Sequence, residues 1–305
     1  NTINFYYNIF LDELIKKDNC YYFYYGGDEY YFVPLNRPYD DVQGIYKLNL
    51  EMKKRRCLVH ELVLNKDKSI ITVVNGISYV LIRLCKYKND KVFLNDINYI
   101  QNMTVNIECD KSLVRNDWIK LWSEKIDYYE YQISQVGKKY PLLCDSLSYF
   151  IGMGENAISY LVNNLDSKTN VNLVVSHKRI YQERGSLNFY DPLNFVVDNR
   201  VRDVAEFIKE TFYNKTLNLY DLKSYFNMAN LNKNEYILLL GRLLFPTYYF
   251  DIYDDIINNG KSEELVINII DRTDEYESLL NTIYKFILYE KKVRLEPIEW
   301  LQDKN

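Results

Sequence analysis

The sequence predicts an α+β protein in two lobes: a small, five-stranded β-rich lobe over residues 1–87 and a larger, mainly helical lobe over 88–305. Three observations predict it. Residues 20–83 hold short aromatic and β-branched runs separated by turn residues, interrupted once by a helical repeat. From Asn116 onward apolar residues recur at helical spacing. Between these regions, at Leu84–Asp90, apolar periodicity gives way to charge, which places the lobe boundary there.

Taken in order, "CYYFYY" (Cys20–Tyr25) and "YYFVPL" (Tyr30–Leu35) flank Gly26-Gly27-Asp28, where a hairpin finds its positive-φ positions. Asp40–Arg56 places Val42, Ile45, Leu48 and Met52 on one helical face, with acids at its start and bases at its end. The run Lys53-Lys54-Arg55-Arg56 therefore reads as the cationic end of a helix dipole. "CLVHELVLN", "SIITVVN" and "SYVLIRL" supply three more strands, the last two joined at Asn75-Gly76.

In the second region Trp118, Leu121, Trp122, Ile126, Tyr129, Ile133 and Val136 are expected on one face of a long helix, and Pro141 follows its end. Asp145–Leu165 is a second helix, in which Gly152 and Gly154 read as close-packing positions; no strand precedes them and the third glycine of a phosphate loop is missing. Further helices are expected at about 203–213, 218–230, 233–245, 248–258, 261–271 and 274–291.

Composition excludes several classes. Hydrophobic residues are 48% and charged residues 26%, an ordinary globular balance. The 31 tyrosines, beside many Asn, Lys and Ile, read as AT-rich codon usage before any stacking surface. A net charge of −4 argues against a nucleic-acid partner. Five scattered cysteines with no CxxC pair imply a reducing, cytoplasmic compartment. With two histidines and no HExxH, no metal site is expected. No run is long enough for a membrane span.

Strands, one inserted helix, more strands and then helices form a kinase-like order. The segment "NFYDPLNFVVDNRVRDVAEFI" strengthens it: Asp191 and Asp203 stand twelve residues apart, the second at a helix start. This resembles the magnesium-loop segment of the aminoglycoside-phosphotransferase family. "DWIKLWSEKIDYYEYQISQ" and the helix carrying Gly152, Glu155, Asn156, Ala157, Ile158, Tyr160 and Leu161 resemble the spore-coat-associated kinase-like proteins of the CotS/YutH type. The resemblance covers most of the chain. It implies a protein-kinase-like fold and structural roles for Glu155, Asn156 and Asp203, the last as a helix N-cap and buried acceptor.

The departures from the family pattern are chemical. A His-Gly-Asp loop with Asn five residues later is expected; here His177 is followed by Lys178 and Arg179, and the Asn position falls on Arg184. A guanidinium neither accepts a proton nor ligates magnesium. The phosphate-binding Lys position falls on Val33, and Glu51, its would-be helix partner, reads as a surface residue. Asp191 remains as a vestigial magnesium position, or as a structural cap of the turn at Pro192. His177 reads as a loop-tying histidine, and Arg179 as an internal cation for Asp191 or Asp203.

The expectation is therefore a pseudokinase. It has no confident catalytic residue and no cofactor, ATP and magnesium both being disfavoured. It acts by binding proteins, and by the resemblance its partners are spore-coat or assembly components. Two alternatives stay open: a small-molecule phosphotransferase using Asp191 for magnesium and Asp198 or Glu183 for the proton, and a non-catalytic nucleotide sensor.

Overall fold

A computed structural model describes residues 2–86, 90–166 and 172–302. The chain forms two compact units, one of residues 1–115 with 172–198, the other of 116–171 with 199–305.

The first unit is built on an antiparallel sheet of β1 (Ile15–Lys17), β2 (Cys20–Tyr25), β3 (Asp28–Pro34), β4 (Glu61–Val63), β5 (Ile71–Val74) and β6 (Ile77–Arg83). Their order is β1-β2-β3-β6-β4, with β5 also on β6. The expected five strands are present, and the short β1 adds a sixth. Both hairpin turns use left-handed backbone: Gly26 and Gly27 at φ 60° and 81°, Asn75 and Gly76 at 50° and 79°. Asp28, expected in the first turn, instead opens β3.

Helix α1 (Thr2–Tyr7), not anticipated, lies on one sheet face: Ile3 and Tyr7 pack into a core with Phe23, Phe32, Tyr79 and Leu81. Alternation along β3 sends Tyr30 and Phe32 to that core and Tyr31 and Val33 to the opposite face. Cross-strand ring pairs fix the register, Tyr22 on Tyr31 at 4.3 Å and Phe23 on Tyr30 at 5.1 Å.

Helix α2 (Tyr39–Lys54) buries Val42, Ile45, Leu48 and Met52, the stripe read from the sequence. Its basic end is engaged: Lys54 pairs with Glu51, Lys53 with Glu61, and Arg55 donates to the Val105 carbonyl at 2.9 Å.

The unit does not stop at residue 87. α3 (Leu94–Thr104) packs on β7 (Leu173–His177), and Val114 bridges Val197 of β8 (Phe195–Asn199). These contacts draw 90–115 and 172–198 into the sheet-bearing unit, which local hydropathy at Leu84–Asp90 does not encode.

The second unit is helical: α4 (Trp118–Val136), α5 (Pro141–Asn164), α6 (Val201–Tyr213), α7 (Leu219–Ala229), α8 (Lys233–Leu244), α9 (Thr247–Asn259), α10 (Ile267–Asp271), α11 (Thr273–Tyr289) and α12 (Glu299–Gln302). α5 begins four residues before the expected Asp145 because Pro141, which has no N–H to leave unpaired, takes its first position. Gly154 meets α4 closely, a Cβ there falling 2.9 Å from Ile126 Cδ1, whereas Gly152 has nothing within 4 Å and is not a packing glycine.

A buried charge cluster joins α6, α8 and the start of α9. Lys209 Nζ donates to Phe245 O at 2.9 Å and Thr247 Oγ1 at 3.0 Å, and Glu206 accepts from Arg242 Nε at 2.8 Å. Among the described residues no helix is long and apolar enough to cross a membrane.

Candidate functional site

A cavity of about 800 Å³ opens on the sheet face opposite α1. Cys20, Tyr22, Tyr31 and Val33 form one wall; Glu183, Asn188, Asp191 and Leu193 form another. All of these residues belong to the first unit.

The loop between β7 and β8 is stitched from inside. His177 is buried, its Nε2 lies 2.7 Å from Phe189 O, and its ring stacks on Phe189 at 4.4 Å. Asn194 accepts from Arg179 N and donates to Arg179 O and Asn188 O. Asp191 Oδ1 accepts from Leu193 N at 2.8 Å and so caps the 3-10 turn Pro192–Asn194. Its main-chain carbonyl accepts from Asn194 N.

Burial pushes the Asp191 carboxyl up to about 7, against the pull of its backbone bond and of Lys178, His177 and Arg37. Burial also brings Lys178 down to about 8, helped by Arg37 and opposed by Asp41 and Asp191. The guanidinium of Arg179 donates to Lys178 O at 2.7 Å, and two main-chain bonds to Asn194 hold its backbone.

The donor set fits a magnesium–polyphosphate group poorly. The lining carries Asp18, Asp90, Glu183 and Asp191 against Lys17, an anionic surface where phosphates need cations. Val33, on the wall, offers no donor. Among the described residues no three His, Cys, Asp or Glu side chains gather as a metal-binding group. Magnesium binding asks for oxygen ligands in near-octahedral arrangement.

The remaining sequence candidates are dispersed. Asp203 is not an N-cap: α6 starts at Val201, so Asp203 is its third residue, buried in the first turn, while Asn199 Oδ1 receives Val201 N. Glu155 and Asn156 are exposed on α5, which corrects the structural roles expected of them; solvent-facing side chains on a packed helix carry little of its burial. Asp198 is fully buried on β8, and Glu183 pairs with Lys91 at 2.9 Å. The side chain of Arg184 lies outside the described residues. Arg37, Lys178 and Asn194 were missed. Lys178 and Asn194 stand beside recognised motif positions, which says nothing of direction, and Arg37 stands outside them.

Solved structures share this fold. An aminoglycoside phosphotransferase from Alicyclobacillus acidocaldarius superposes with a TM-score of 0.63 at 8% identity, covering 92% of this chain and 94% of its own. A spectinomycin phosphotransferase, solved with ADP and spectinomycin, gives 0.59 at 9% identity over 86% and 88%. An amicoumacin kinase gives 0.52 at 12% over 98% and 94%. The chain therefore has the α+β fold of the kinase-like phosphotransferases.

Sequence comparison narrows the class. A family model described as "Spore coat putative kinase YutH" matches residues 1–283, so the chain belongs to that spore-coat family. The endospore coat-associated protein YutH of Bacillus subtilis (strain 168) is 30% identical over 207 residues, 60% of this chain and 61% of that protein; the match thus spans less than two thirds of that relative.

Proposed function

We propose that this chain is a non-catalytic, kinase-like component of the spore-coat system that works by binding other proteins. The observation that carries the reading is the state of Asp191. Its carboxyl is engaged in capping its own turn through Leu193 N, and burial pushes it up to about 7. Support comes from the chemistry of Arg179, which has no lone pair with which to take a substrate proton. Val33, apolar and six per cent exposed, stands on the cavity wall at the position the resemblance assigns to the phosphate Lys. The spore-coat setting comes from the family and from the printed description of the Bacillus subtilis relative.

One observation favours a second reading, nucleotide sensing or an atypical phosphotransfer: Asp191 lines a cavity of about 800 Å³, a size that suits a small-molecule ligand. A thermal-shift titration with ATP, with and without magnesium, separates the two. A ligand bound only to the folded state at a hundred times its Kd adds about 2.7 kcal/mol. The proposed function expects no shift at millimolar nucleotide. A magnesium-dependent shift overturns it in favour of the second reading.

A further inference from the structure

Arg37 lies between β3 and α2, outside every motif. Its side chain is buried, and its guanidinium donates to Phe195 O at 2.9 Å, to Leu193 O at 3.4 Å and to Asp41 Oδ2 at 2.9 Å. Asp41 is itself buried in the first turn of α2, where a carboxylate also suits the helix dipole. One side chain thus joins the start of a helix to a carbonyl of the loop that carries Asp191 and to the first carbonyl of β8, more than 150 residues along the chain.

We propose that Arg37 is an internal clamp that holds the Asp191 loop closed without a bound ligand. The inference rests on the reading above, in which that loop needs no nucleotide. Loops that present a metal-binding carboxylate are commonly ordered by the ligand itself and relax when it leaves. Here the ordering contacts come from within the chain. The group is suited to it: a planar fork with five N–H donors meets two carbonyls and a carboxylate together, and it stays charged when buried. Asp41 neutralises it, which spares the unit an unpaired buried cation. A lysine, with a point charge on a flexible stem, cannot span the same acceptors.

Hydrogen exchange on the whole chain tests the clamp, with the parent, Arg37→Met, Arg37→Lys and Asp41→Asn compared. In Arg37→Met the amides of 189–197 should exchange about tenfold faster, as for loss of a charge-assisted hydrogen bond, while the β2–β3 hairpin is unchanged. Arg37→Lys should restore only part of that protection. Unchanged exchange at 189–197, or an even rise across the chain, overturns the clamp. Should Arg37→Met fail to fold, Asp41→Asn, which takes away the charge that anchors the guanidinium to α2, should still loosen 189–197; no change there overturns the proposal equally. Magnesium–ATP added to the parent separates the two ideas. Extra protection of 189–197 by the nucleotide sinks the reading in which the loop needs no nucleotide, whereas a silent Arg37→Met sinks the clamp alone.

Discussion

Asn194 grips Arg179 by both of its main-chain groups: Arg179 N donates to Asn194 Oδ1 at 3.3 Å, and Arg179 O accepts from Nδ2 at 2.9 Å. The same Nδ2 donates to Asn188 O at 3.2 Å. The side-chain amide continues the β7–β8 pairing into the loop, beside the main-chain bond from Lys178 N to Asn194 O at 2.8 Å. Asn194→Ala leaves these main-chain groups unpaired in a partly buried place and should cost about 2 kcal/mol. Urea unfolding measures it. A loss below about 0.5 kcal/mol would mean that the loop is held elsewhere.

Asp191 should give the chain a pH signature. Its carboxyl, at about 7 when folded and about 3.8 in an unfolded chain, keeps its proton in the folded state over a range where the unfolded chain has lost it. Its contribution is therefore fully present at acid pH and is lost as pH rises through about 7. Asp191→Asn keeps an oxygen acceptor for Leu193 N and removes the titration. The variant should match the parent near pH 4 and exceed its Tm by roughly 5 °C at pH 8. A Tm difference between the two that does not vary with pH would remove the carboxyl from this account.

The helical glycines should separate by what surrounds them. Gly152→Ala meets nothing within 4 Å and should gain about 0.5–1 kcal/mol from helix propensity. In Gly241→Ala the new methyl overlaps the Leu161 side chain, with Cγ 2.8 Å away, and should cost about 1–3 kcal/mol. Thermal denaturation of the two variants checks the contrast; a stabilising Gly241→Ala would contradict the packing of α5 on α8.

Glu206 is the anion of the buried cluster, with Arg242 Nε at 2.8 Å and Lys209 Nζ at 3.3 Å. Lys209 is already brought down to about 8, by burial first. Glu206→Ala takes a carboxylate partner from two buried cations and should cost about 3–5 kcal/mol. Lys209→Met, which removes a buried charge and keeps the stem, should cost less. The reverse ranking in chemical denaturation would mean that Lys209 organises the cluster.

Much of the first unit was legible because its signals are local. Gly26-Gly27 and Asn75-Gly76 supply left-handed turns whatever surrounds them, and the stripe on α2 needs no partner to be seen. The spacing of Asp191 and Asp203 carried the family. β1 and α1 were not legible: β1 has no buried residue in its three, and α1 is a six-residue helix held by the sheet beneath it.

The sequence by itself determined the kind of backbone at each turn and helix, the kinase-like order of elements, and the residue types at the motif positions, Arg179 and Val33 among them. Only the tertiary structure decided which groups face one another. It turned Arg37 toward Asp41 and the Leu193 and Phe195 carbonyls, and it set Asp203 inside the first turn of α6. It also left Glu155 and Asn156 in solvent. The reason is one of range. Dihedral preference and amphipathic period act over a few residues, whereas the bond from Arg37 to Phe195 joins positions 158 apart and exists only once the sheet, α2 and the loop have packed.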